Sequence, residues 1–336
     1  MKYINDIIKE YNNLGIGEQI DYAKFYMYSI ITHSTAIEGS TVTEIENRLL
    51  FDEGIGTQKP LIEQMMNLDL KEAYEQSLIY ARKHTNYSVE LLCNLSALVM
   101  KHTGTEYNTM LGNFSSAKGE LRLLNVSAGI GGKSYISYQK VPAQLEEFCK
   151  WLNSQRKSLN HDYESIYNLS FEAHYRLVCI HPWADGNGRM SRLVMNMIQY
   201  EFGVVPSIVK KENRKQYIES LERSQNKATS TPFLSFMLEH HCDNILKQIA
   251  EFKKSVNETV ADIKNVADKL TDRQQNIIDI IQNVATNVAV NTKYLSEQLC
   301  VNRKTIQRDL VGLQQRKLIQ WVGSNKTGHW EIIELK

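Results

Sequence analysis

Proline is scarce in this 336-residue chain, five in all, and cysteine equally so. With so little to interrupt helices, and with apolar residues recurring mostly three and four apart, the chain is predicted to be mainly α. The five cysteines (Cys93, Cys149, Cys179, Cys242, Cys300) are odd in number and form no CxxC pair. That pattern speaks against a disulfide framework and a thiolate zinc site, and leaves buried free thiols as the expectation. An excess of one charge is missing too, since 39 Lys and Arg against 38 Asp and Glu leave +1. Such a balance provides no global field for nucleic acid or an anionic membrane, so any nucleic-acid contact has to be local. No run reaches the roughly 18 uninterrupted apolar residues of a membrane span, and Met1 to Glu18 lacks the basic-then-apolar layout of a signal peptide. The expectation is a cytoplasmic protein with no membrane partner.

What the chain does have is the material for a core: 42% hydrophobic and 23% charged residues, near the globular average. Its length predicts about two domains. Two places depart from the helical pattern. Gly119-Glu-Leu-Arg122 leads through Val126 and the glycines of 129–132 to Tyr135-Ile-Ser-Tyr138, which predicts a β-hairpin rather than a nucleotide loop, because no strong strand precedes the glycines. Leu318 to Val322 and Trp330 to Ile333 predict a second hairpin. Before it lie three short helical patterns, Arg273 to Ile281, Thr292 to Leu299 and Arg303 to Leu318, in the order of a winged helix. Residues 242–270 hold neither Pro nor Gly and space Ile249, Val256, Ile263 and Leu270 seven apart. This seam fits either one helix lying on its own domain or a homodimer-forming coiled coil.

The chemistry is concentrated in His181-Pro-Trp-Ala-Asp185-Gly-Asn187-Gly-Arg189-Met-Ser-Arg192. Asp-Gly-Asn-Gly demands a tight turn, and the apolar spacing after Arg189 is helical. The turn therefore opens onto a helix N-terminus, whose unpaired N–H groups and positive dipole end form a seat for phosphate at Gly186, Asn187 and Gly188. Arg189 and Arg192 share one face of the first turn, where the dipole disfavours cations by about 0.3–1 kcal/mol each. An anionic ligand explains them. Asp185 beside that seat would repel phosphate unless a divalent cation such as Mg²⁺ lay between. His181, four residues upstream, suits a general base near neutral pH. His174, seven residues earlier, is either a hydrogen-bonded core histidine or, with His181 and Asp185, a metal ligand.

This segment resembles the signature of the Fic (filamentation induced by cAMP) family, His-Pro-Phe-x-Asp-Gly-Asn-Gly-Arg-x-x-Arg, with Trp183 in place of the usual Phe. The likeness extends to the 119–138 hairpin, which resembles the family's flap, to Val141-Pro142, to Ala173-His174-Tyr175 and to Asn213-Arg-x-x-Tyr217. The resemblance implies a Fic-type helical domain that transfers AMP from ATP to a hydroxyl of a target protein. It implies His181 as the base, Asp185 as the Mg²⁺ ligand, Gly186 to Gly188 as the phosphate cradle, and Arg189 and Arg192 as clamps on the pyrophosphate end. Alternatives are a nucleotide-sensing DNA-binding regulator, and an enzyme that uses another nucleotide or removes AMP.

Upstream, Glu18 to Ile37 has helical spacing, Gly39 is the stop, and Thr41-Val-Thr-Glu44 is expected to be a capping box. Glu38 then stands at a helix end where the dipole disfavours a carboxylate, so it needs a cationic partner. Ser34-Thr-Ala-Ile-Glu38-Gly39 resembles the family's inhibitory helix motif, which implies that Glu38 pairs with Arg192. The expected organisation is an N-terminal helical region (1–110) with the inhibitory helix at about 18–39, a Fic core (111–241), a connecting helix (242–270) and a winged helix (271–336). In the last unit Arg303, Lys304 and Arg308 open the third helix. They mark it as a DNA-contacting recognition helix or a protein-binding module.

Overall fold

Helix dominates, as the scarcity of proline predicts. The computed structural model describes residues 4–127, 134–160, 162–267, 270–284, 290–324 and 328–333, with 257–267 described in backbone only. Contacts divide the chain into two compact units, Met1–Phe252 and Lys253–Lys336.

The first unit contains α1 (Ile4–Asn13), α2 (Tyr22–Ile37), α3 (Glu44–Asp52), α4 (Leu61–Arg82), α5 (Val89–Val99), β1 (Glu106–Thr109), β2 (Gly112–Ser115), α6 (Val141–Lys157), α7 (Tyr163–Ile180), α8 (Asn187–Glu201) and α9 (Arg214–Lys227); α10 (Thr231–Ala267) begins in it. Helix α8 is its axis. From Arg189 to Gln199 every residue of α8 is buried, with Leu193, Val194, Met197 and Ile198 in a core shared with α4, α5, α6 and α7. A helix enclosed on all sides needs its polar groups paired. Asn196 accepts from Tyr74 Oη at 2.7 Å and donates to Ser207 O at 2.9 Å, while Gln199 donates to Ser170 Oγ at 2.9 Å.

Helix α2 is fixed by a buried amide and hydroxyl cluster. Asn67 Oδ1 accepts from Thr35 Oγ1 at 2.8 Å and from Asn47 Nδ2 at 2.9 Å, and Asn67 Nδ2 donates to Ser40 Oγ at 3.1 Å. The chain turns away at Gly39, whose φ of 106° suits glycine alone.

Three expectations are corrected. The capping box of α3 is Thr43 with Glu46, whose Oε2 accepts from Thr43 N at 2.8 Å, not Thr41 with Glu44. Glu63 takes the Thr41 amide at 2.5 Å, and Ser29 Oγ donates to Glu44 at 2.5 Å, so neither partner of the earlier frame is available. The 119–138 segment forms no strand ladder among the described residues. Its arms meet at a single antiparallel bridge, Ser127 with Ser134, and its glycine cluster lies outside the described residues. The ladder that does form, β1 with β2, pairs Tyr107 with Phe114 and Asn108 with Asn113, upstream of the expected hairpin. Finally, buried thiols hold for Cys149, whereas Cys300 is exposed.

The second unit consists of α11 (Asp272–Asn283), α12 (Thr292–Gln298), α13 (Arg303–Gln315), β3 (Ile319–Val322) and β4 (His329–Ile332). Three helices followed by an antiparallel hairpin is the order expected from the sequence. Ile277, Leu295, Ile306, Leu310, Leu313 and Ile319 form its core, and the hairpin register places Trp321 opposite Trp330. Of the heptad seam, the side chain of Ile263 lies outside the described residues, while Leu270 packs against the core of this second unit. No helix among the described residues is long and apolar enough to cross a membrane.

Candidate active site

Helices α7 and α8 meet at the 181–186 turn. His181 caps α7 in the left-handed conformation, φ 51°, its amide donating to Leu177 O at 3.0 Å, an uncommon state for a residue with a side chain. Trp183 is fully buried, and its indole donates to Gly119 O at 3.0 Å. The turn is braced by Asn187, whose Oδ1 accepts from Trp183 N at 3.1 Å and whose Nδ2 donates to Trp183 O at 2.8 Å. The Asn187 side chain is therefore committed to the turn, leaving only its backbone for a phosphate. Gly186 precedes α8 with φ 81° and no side-chain cap; a Cβ there would come within 2.7 Å of Met100 Sδ. At Gly188 a Cβ would run into the Glu38 carboxylate and lie 3.1 Å from Arg192 Nη1. Glycine is needed at both places because other groups already fill the space.

The two arginines differ in their partners. Arg189 is buried, with Nη2 3.1 Å from Met100 Sδ and 3.8 Å from Asp185 Oδ1, and its Nε has no hydrogen-bond partner among the described residues. Arg192, also buried, is fully engaged. It donates to Glu38 Oε1 at 2.5 Å, to Ser34 Oγ at 2.8 Å and Ser34 O at 3.0 Å, and to Tyr217 Oη at 3.4 Å. The structure thus brings Ser34, Glu38 and Arg192 together across more than 150 positions of sequence. Burial pushes the Glu38 carboxyl up, but Arg192, its hydrogen bond, and the nearby Arg189 and Arg214 outweigh that and hold it below its ordinary value. Tyr217 in turn hydrogen-bonds His174 Nε2 at 2.9 Å, and the buried His174 ring stacks on Phe233. His174 is thus occupied as a core histidine. No group of three His, Cys, Asp or Glu suited to a metal occurs among the described residues.

The His181 imidazole lies face to face with the Tyr135 ring, centroids 3.8 Å apart. Burial pushes its pKa down to about 4; the Val178 carbonyl, Asp185 and Glu38 act the other way, and Arg122 adds to the lowering. At neutral pH the ring is an unprotonated base. Asp185 projects outward, its side chain 61% exposed. Arg122, which sequence reasoning took only as part of a β-prone arm, is buried beneath the site and bound to backbone carbonyls, including that of His181. Its signal was a lone arginine set among Leu121, Leu123 and Leu124.

Against known proteins, residues 86–199 match the family model described as the Fic/DOC family. This segment is similar to a Fic domain. The turn, both arginines and His181 fall inside that match, whereas Ser34 and Glu38 precede it. Among curated relatives, protein adenylyltransferase fic-1 of Caenorhabditis elegans is 25% identical over 290 residues, 84% of this chain and 52% of that protein. Protein adenylyltransferase Fic of Drosophila grimshawi is 30% identical over 211 residues, 62% of this chain and 40% of its own. The chain thus spans about half, or less, of the length of these relatives. A solved structure of a Fic domain containing signaling protein from Bacteroides thetaiotaomicron superposes with a TM-score of 0.61 at 19% identity, over 75% of this chain and 97% of that one. At that identity the likeness shows a shared fold.

Proposed function

We propose that this chain is a protein adenylyltransferase, restrained by Glu38, that moves AMP from ATP to a target hydroxyl. The observation that carries the reading is Arg189, a buried cation with an unpartnered Nε at the uncapped start of α8. A buried charge calls for a counter-charge, and the helix N-terminus favours an anion at the same point. The relatives named protein adenylyltransferase point to ATP as the source of that anion.

His181, unprotonated at neutral pH, takes the proton of the incoming hydroxyl as its oxygen bonds to the α-phosphorus. The bond from that phosphorus to the bridging oxygen breaks, and pyrophosphate leaves. The α8 amides and Arg189 hold the phosphates in line, since such transfer is mostly positioning and charge stabilisation. Asp185 is an exposed oxygen donor beside the anion seat, and among the described residues it belongs to no cluster of three or more His, Cys, Asp or Glu suited to a metal. That suits Mg²⁺, which commonly takes one or two carboxylates and completes its shell with phosphate oxygens and water. When bound, Mg²⁺ would neutralise phosphate charge. Glu38 occupies Arg192, the second clamp, which restrains transfer. The test is labelled-AMP incorporation from ATP into cell extract and into the protein itself, with and without Glu38. Absence of incorporation by both forms, with ATP and other nucleotides alike, would overturn the reading.

The second unit supports a separate proposal, local contact with DNA. Arg303, Lys304, Gln307 and Arg308 are exposed on α13, and an open groove of about 530 Å³ is lined by Lys304, Gln307, Arg308 and Val311. The one acid on α13, Asp309, is buried and paired with Arg273, so the exposed face carries basic and amide side chains beside Val311 and no acid. Replacing Arg303 and Arg308 with Ala should weaken retention on duplex DNA and flatten its salt dependence. A protein that shows no retention at low salt would have a protein-binding module here instead.

A further inference from the structure

Arg122 sits among backbone carbonyls rather than carboxylates. It is 1% exposed, and no carboxylate pairs with it among the described residues. Its Nε donates to His181 O at 2.8 Å, Nη1 to Leu124 O at 2.7 Å and Nη2 to Ile136 O at 2.6 Å. Its own amide donates to Pro182 O at 3.1 Å. One planar side chain thus holds both arms of the 119–138 segment and the backbone of the candidate base. The arms' single bridge includes the bond from Tyr135 N to Val126 O at 3.0 Å, and Tyr135, next to Ile136, lies on the His181 ring. Placing a cation in the interior without a counter-ion is costly, and the fold accepts it where two arms, poorly bonded to each other, need a common anchor.

We propose that Arg122 is a positioning residue, fixing the arms at 122–127 and 134–138 and the Tyr135 ring in register with His181 so that an extended target segment meets the base. This rests on the adenylyltransfer reading, and one of its readouts is independent of it. In the Glu38→Gly background, Arg122→Lys keeps the charge but cannot span three carbonyls, and Arg122→Met removes both. For both variants we expect binding of a non-hydrolysable ATP analogue within about threefold of the parent, while transfer to a protein target falls by at least thirtyfold, because misplacement at a reacting centre is expensive. His181 titration, followed by NMR of the ring, separates charge from bracing. With Glu38 removed in this background, Asp185, Arg122 and the Tyr135 ring remain around His181, so Arg122→Met should raise its pKa above that of Arg122→Lys. Transfer within threefold of the parent in both variants would overturn the proposal, as would equal loss of ATP binding and transfer. If the parent itself transfers nothing, the functional reading fails, and the proposal then stands or falls on the NMR: an unmoved His181 pKa in Arg122→Met, with the fold intact by circular dichroism, overturns it.

Discussion

Glu38→Gly separates a structural contact from a regulatory one, because it removes the carboxylate and leaves Arg192 otherwise held. After truncation Arg192 keeps Ser34 Oγ, Ser34 O and Tyr217 Oη, so the guanidinium stays in place rather than swinging free. Breaking a fully buried ion pair costs about 3–5 kcal/mol. The Glu38 side chain is 34% exposed and Arg192 retains partners, so the loss is closer to one charged hydrogen bond, about 1.5–3 kcal/mol. In the intact protein an ATP phosphate must forfeit that bond before it can use Arg192. At about 1.4 kcal/mol per tenfold, releasing it should raise AMP transfer about 10- to 150-fold. ATP affinity should change less, since on the proposed reading Arg189 and the α8 amides hold the phosphates without Arg192. The assay is incorporation of labelled AMP by the intact protein, Glu38→Gly, and Glu38→Gly with Arg192→Ala; the double variant should lose the gain along with its clamp. Thermal unfolding of the same three samples tells whether the pair was broken. A Tm lowered by roughly 2–4 °C per kcal/mol, with incorporation equal to or below that of the intact protein, would refute the inhibitory role.

His181→Ala should abolish transfer, by about 10²–10⁴-fold for a general base, while ATP binding persists; activity within threefold of the intact protein would remove its role. The His181 pKa of about 4 is depressed from 6.5, so the folded state's preference for the neutral ring is fully present above about pH 6.5 and is lost as pH falls toward 4; the acid limb of transfer by Glu38→Gly should lie near 4, and a limb at 6.5 would show a solvated ring. The depressed Glu38 carboxyl stabilises the pair above its ordinary titration range and releases it only as pH falls through its lowered value, so the intact protein should show no activation between pH 7.5 and 5. Asn187→Ala orphans the Trp183 N–H and C=O, each costing about 1–3 kcal/mol, and should lower Tm together with ATP affinity. Gly119→Ala should destabilise comparably, since its Cβ would strike Cys93 O and approach Ala97 N to 2.7 Å at φ 69°.

The site was legible in sequence where its logic is local. A turn of Asp, Gly, Asn and Gly followed by helical spacing specifies the α8 N-terminus within twelve residues, and Glu38 and Arg192 were each at a helix end of the wrong sign. Sequence reasoning failed where partners are backbone or where two frames fit equally. Thr41 with Glu44 and Thr43 with Glu46 are both capping boxes on paper; Glu63 decides between them by capturing Thr41. Arg122 bonds carbonyls, and every residue has one, so no complementary side chain marked it. The expected 119–138 hairpin is met only in part among the described residues, for a related reason: its arms bond to Arg122 and share one antiparallel bridge, while a ladder forms at Glu106–Thr109 and Gly112–Ser115.

The buried cluster around Asn67 bears on the strength of the Glu38–Arg192 pair. A carboxylate at the frayed end of a free helix would sample many positions, and its contact with Arg192 would carry the entropy cost that makes exposed ion pairs weak. Here Thr35, three residues before Glu38, is tied to Asn67, and Ser40, two residues after it, is tied to the same amide. Asn47 joins from α3. The backbone at Glu38 is thus clamped on both sides by hydrogen bonds in the interior, and the carboxylate is presented to Arg192 with little freedom left to lose. The strength of the pair is therefore set as much by an amide on α4 as by the charges themselves, and a buried polar network of this kind acts as a unit rather than as a sum of pairs.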